Sequence, residues 1–84
     1  MIYRIYTEDK NRNKLEKIVA TYFHGFTLIP STGYWEGAKE ESLIIEVVGI
    51  NEDTKIRQCA EAIKAVNEQQ AVLVTCTPVE CYTI

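Results

Sequence analysis

Glycine is scarce in this chain. Only Gly25, Gly33, Gly37 and Gly49 occur among 84 residues, and none falls into a GxGxxG or Walker-type pattern. Phosphate cradles of those kinds need closely spaced glycines, so both are excluded. Positive charge is short as well: nine Lys and Arg stand against twelve Asp and Glu, for a net charge of −3. Non-specific binding to a nucleic-acid backbone needs clustered cations, so a nucleic-acid polymer is not an expected partner. No apolar run approaches the ~20 residues of a membrane span. The opening MIYRIYTEDK lacks the basic start, apolar stretch and cleavage site of a signal peptide. A membrane role is therefore not expected, and a cytoplasmic location follows by default.

Histidine and cysteine are too few for familiar site chemistry. His24 is the single histidine, and the cysteines are Cys59, Cys76 and Cys81. An odd number suits reduced thiols better than a disulfide framework. A structural zinc site wants four N or S ligands in tight pairs, and here one loose pair straddles Pro78. Burial as small hydrophobes is the expectation for the three thiols. A thiol nucleophile would need an oriented base, and His24 is accounted for at the end of a helix. Neither a metal nor another cofactor is expected.

What is present organises into alternating β and α patterns within one domain spanning residues 1–84. Residues 2–7 (IYRIYT) read as a strand. Thr7 is placed to cap a helix, with Glu8 and Asp9 in its first turn. Leu15, Ile18, Val19, Tyr22 and Phe23 recur at helical spacing, with Lys10, Arg12, Lys14 and Lys17 on the solvent side. Gly25 stands where a left-handed helix end is expected. Residues 26–30 (FTLIP) form a second short strand, with Pro30 suited to an edge. Residues 42–48 (SLIIEVV) are the strongest strand, apolar on both faces except at Glu46. Asn51 or Asp53 caps a second helix with Ile56, Cys59, Ala60, Ile63 and Val66 as its stripe, ending near Asn67. Residues 71–77 (AVLVTCT) are the last strand, and VECYTI forms a short terminal strand or arm.

The order βαββαβ, with right-handed crossovers, predicts an α+β ferredoxin-like fold: a four-stranded antiparallel sheet with two helices on one face. RNA-recognition domains share this order, but their third strand carries glycine, a basic residue and stacking aromatics. SLIIEVV has no aromatic and carries a glutamate. Strands apolar on both faces in so small a chain predict self-association.

The segment STGYWEGAKEE, residues 31–41, is read as a loop holding the only tryptophan. Tyr34 and Trp35 admit three roles there. They pack beneath the sheet, they contact another subunit, or they offer a stacking surface to a planar ligand. Gly33 and Gly37 would let a backbone approach such a ligand, and Lys39 or the basic helix face would meet an anionic group. Glu40 and Glu41 are neighbours on an extended chain and point opposite ways, so they do not form an acid–base pair.

The element order, the size and the stretch GFTLIPSTGYWEGAKEESLIIEVVG, Gly25 to Gly49, resemble PII-type signal proteins and CutA-like relatives, above all small PII-like proteins of bacteria and phages. The resemblance rests on Gly33, Tyr34, Trp35, Gly37, Glu41 and SLIIEVV. It implies a homotrimer whose sheets line a central interior and whose loops overlie inter-subunit clefts that hold nucleotides or other small effectors. The chain departs from PII proteins proper in its short loop, without the tyrosine-bearing loop motif or basic-glycine phosphate motifs, so ATP and nitrogen control do not follow. The expectation is a non-enzymatic protein that holds a small planar ligand, a nucleotide or nucleotide signal, as a regulator or a phage-type sponge. The alternative is an inhibitory protein-interaction module acting through residues 31–41 or the C-terminal arm. A small hydrolase ranks third.

Overall fold

A computed structural model describes all 84 residues. The elements are β1 (Ile2–Glu8), α1 (Arg12–Tyr22), β2 (Thr27–Trp35), β3 (Ala38–Val48), α2 (Asp53–Val66) and β4 (Leu73–Thr77). They form one antiparallel sheet in the order β2-β3-β1-β4. This is the predicted ferredoxin-like arrangement, with β2 and β4 at the edges.

Strand alternation decides which side chains meet the helices. Tyr3, Ile5 and Thr7 of β1 and Leu43, Ile45 and Val47 of β3 are buried on one face. Leu15, Val19 and Phe23 from α1 and Ile56, Cys59, Ala60 and Ile63 from α2 join the apolar ones in a single core. The two helical stripes read from the sequence are thus the two faces that cover the sheet.

The helix ends differ from expectation. Thr7 caps nothing: it lies inside β1, buried, with its hydroxyl donating to Gln69 Oε1. The buried Asn67 at the end of α2 donates from Nδ2 to Thr7 Oγ1 at 3.0 Å and to the Glu8 carbonyl at 3.1 Å. Asn11 Nδ2 donates to Asn67 Oδ1 at 3.1 Å. A buried amide with every polar atom satisfied locks both helices to the end of β1. Asn11 itself starts α1 in a left-handed conformation. Gly25 does not end α1. Phe23 does, in an extended conformation that turns its ring into the core. Glu52, rather than Asn51 or Asp53, occupies the N-cap of α2, and its N–H donates to the Tyr3 hydroxyl at 3.1 Å.

Two of the three thiols also depart from expectation. Cys59 is buried, whereas Cys76 and Cys81 are exposed. Cys76 lies on β4, whose helix-facing side neither helix fully covers. Beyond Thr77 the chain continues without regular structure, so VECYTI is an arm rather than a strand.

The opposite sheet face is open. It presents Ile2, Tyr6 and Ile44 half-buried, with Ile29, Val48 and Leu73 exposed. At its centre the directly paired Arg4 and Glu46 form a 2.9 Å ion pair. No helix is long and apolar enough to cross a membrane.

Candidate ligand-binding hairpin

The largest departure from the sequence reading is residues 31–41. They are not a loop. β2 and β3 run on as a two-stranded ribbon, pairing Thr32 with Glu41, Gly33 with Glu40, Tyr34 with Lys39 and Trp35 with Ala38. β1 stops pairing with β3 at Glu8 and Ser42, so the ribbon projects past the sheet. Thr27, Thr32, Tyr34 and Trp35 favour strand, and the two-residue turn Glu36–Gly37 closes the hairpin. Both turn residues have positive φ, 50° and 80°, the type I′ geometry whose twist matches paired strands.

The ribbon explains both glycines. Gly37 supplies the second positive φ. At Gly33 an added Cβ would lie 2.5 Å from Ser42 Oγ, so glycine makes room for the diagonal cross-strand serine. The expectation that these glycines serve a ligand's approach is therefore not needed to account for them.

Tyr34 is 71% exposed and Trp35 66% exposed, so neither packs beneath the sheet. As strand neighbours they lie on opposite faces of the ribbon. Tyr34 shares its face with Lys39, its direct cross-strand partner, and with Thr32 and Glu41. Trp35 shares the other face with Ala38, Gly33 and Glu40. Ala38 is too short to cover the indole. The structure thus groups Tyr34 with Lys39, and separates both from Trp35. Glu40 and Glu41 also face apart, as expected for neighbours on an extended chain. The alternation of TLIPSTGYW could have revealed the ribbon, but Pro30, Gly33 and the Glu-Gly turn mask it.

Elsewhere the molecule offers little reactive chemistry. Burial pushes the Cys59 thiol up to about 11, so it stays protonated at neutral pH. Arg12 donates to both Asp9 carboxylate oxygens, at 2.9 and 2.6 Å, and holds that carboxyl below its ordinary range. No three His, Cys, Asp or Glu side chains converge where a metal could sit.

The class this geometry defines is a small α+β domain of ferredoxin-like topology with a protruding aromatic hairpin. No protein-family model matches the chain, and no curated protein matches it. Solved structures do match in fold. A DUF3240 family protein from Shewanella baltica OS155 aligns over 99% of this chain and 92% of its own, with a TM-score of 0.74 at 9% identity. A de novo designed protein, Foldit4, aligns over 94% of each chain with a TM-score of 0.53 at 14% identity. At such identities the likeness is one of fold, and fold alone does not carry function.

Proposed function

We propose that this protein is a PII-like, non-enzymatic binding protein that holds a small planar ligand, a nucleotide or nucleotide signal, at subunit clefts bordered by the β2–β3 ribbon. The observation that carries this reading is the exposure of both Tyr34 and Trp35 on a projecting ribbon with no core to fill. Exposed rings of this kind serve as stacking platforms. Lys39 beside Tyr34 supplies a cation for an anionic group, while Trp35 takes a ring on the other face. Self-association supports the cleft, because the open sheet face is apolar around one ion pair. The family resemblance favours three subunits.

The test is Trp35→Ala. Stacking contributes about 1–3 kcal/mol per base, so binding should weaken about 5- to 150-fold. The melting temperature should change little, because the ring lies outside the core. Native protein would be denatured and the released small molecules identified by mass spectrometry, followed by titration of the two proteins with what is found. A wild type that releases nothing and binds no nucleotide rejects the ligand reading. The second reading, a protein-interaction module, is favoured by one further observation: Tyr82 in the C-terminal arm is 86% exposed.

A further inference from the structure

From the groove beside β4 we infer that the C-terminal arm, residues 79–84, of a second copy of this chain lies along β4 and fills the space beneath α2. This contact is separate from the open sheet face and from the ligand reading, and stands whether or not a ligand binds.

The groove has a volume of about 380 Å³ and is floored by Tyr3, Val72, Val74 and Cys76 under Ile56 and Ala60 of α2. It exists because β4 is the edge strand. Val74 and Cys76 oppose Ile5 and Tyr3 in the register, which places them on the helix-facing side. Ile5 and Tyr3 are fully covered there, yet Val74 and Cys76 are exposed. Apolar side chains on the core face of the sheet lack a cover along this edge, and the outer backbone groups of β4 are unpaired.

The arm has the composition to complete both. It reads VECYTI, and Val79, Tyr82 and Ile84 are exposed without a partner. Its own groove is hard for it to reach. A tight return over Pro78 and Val79 needs positive φ at the first central residue. Proline holds φ at about −65°. A second copy has no such constraint.

Pairing about a two-fold axis at Pro78 sets the register. Val74 then opposes Tyr82 of the second copy, Cys76 opposes Glu80, and Val72 opposes Ile84. All three arm residues fall on the helix-facing side. Tyr82 and Ile84 enter over the groove's apolar floor, which Glu61 and Lys64 of α2 also line. Glu80 arrives beside Tyr3, whose hydroxyl marks the start of α2, where Arg57, which makes no ion pair of its own, lines the groove together with Asp53. A carboxylate there also meets the positive end of the helix dipole. The axis makes the contact reciprocal, so it closes as a pair, in contrast to the threefold assembly that the family resemblance implies.

Sedimentation of three proteins tests this: wild type, a chain ending at Pro78, and Arg57→Glu with and without Glu80→Arg. Wild type should run at twice the 9.6 kDa chain mass or an even multiple of it. The truncated chain should keep its melting temperature and lose the pairing. Arg57→Glu should weaken association about tenfold, and Glu80→Arg should restore most of it. Failure of that rescue while truncation dissociates the pair would remove the arm from this groove. Truncation without effect on mass, a trimer included, overturns the exchange but leaves assembly through the open face standing. A monomeric wild type overturns it outright, and protection of Tyr82 in that monomer would assign the groove to the chain's own arm.

Discussion

The three cysteines show how strongly one residue type divides by position. Cys59 sits in the core on α2, where desolvation alone raises its thiol to about 11. Cys76 and Cys81 are open to solvent. Thiolate is the reactive form, so reactivity follows exposure and pKa together. Native protein should lose Cys81 rapidly to Ellman's reagent, Cys76 more slowly where a second copy's arm covers its groove, and Cys59 only on unfolding; three equal rates would mean that Cys59 is not sealed. The same burial makes stability depend on alkaline pH. The folded thiol keeps its proton where an ordinary thiol, near 9.0, gives it up. The unfolded chain therefore gains by ionising first, and stability falls as pH rises from 9 towards 11. Cys59→Ala should flatten that limb of a pH–stability curve while lowering stability at neutral pH, since it leaves a small cavity.

At the scale of the element, the sequence made the periodic segments plain and concealed their ends. Helical stripes at Leu15, Val19, Ile56 and Ile63, and alternation along IYRIYT and SLIIEVV, are signals that packing merely ratifies. The ends turn instead on four non-glycine residues in left-handed conformations, Asn11, Glu36, Asn51 and Glu68. Two are glutamates, which carry no such signal. Glu68 ends α2 in a Schellman arrangement, with Gln69 N–H donating to the Lys64 carbonyl at 3.0 Å. Glu36 opens the ribbon turn, and with a glutamate there the stretch reads as a loop. The candidate site was accordingly legible as residues but not as geometry: Tyr34, Trp35 and Lys39 were visible, while their division between two faces required the register. Glu36→Asn supplies a side chain that tolerates positive φ and completes an Asn-Gly turn. It should raise stability by about 0.5–1 kcal/mol, read as a higher urea midpoint with unchanged slope. A fall in the midpoint would mean that Glu36 makes a contact more valuable than the strain it bears.

For the whole molecule, the question is whether either of two uncovered surfaces joins copies of the chain. The groove beside β4 lacks a strand, and the open sheet face lacks a layer. Ile44 separates the two. It stands half-buried at the middle of the open face, directly opposite Tyr6 on one side and Ile29 on the other. It takes no part in the core beneath the helices. Ile44→Lys should therefore leave the fold and the arm contact alone. If the open face lines an assembly, the substitution forfeits roughly 1.5–3 kcal/mol of burial per subunit. It also places an unpaired ammonium in the contact, so association should weaken at least tenfold. Long lysines at a strand centre are tolerated where the face meets water, and then sedimentation and melting should both be unchanged. Paired with the arm truncation, the substitution sorts the outcomes. Loss of mass in Ile44→Lys alone assigns assembly to the open face, as the family resemblance implies. Loss in the truncation alone assigns it to the arms. Partial loss in each describes pairs joined by arms and stacked through their sheets, with the Trp35 ribbons left free at the rim to meet a ligand.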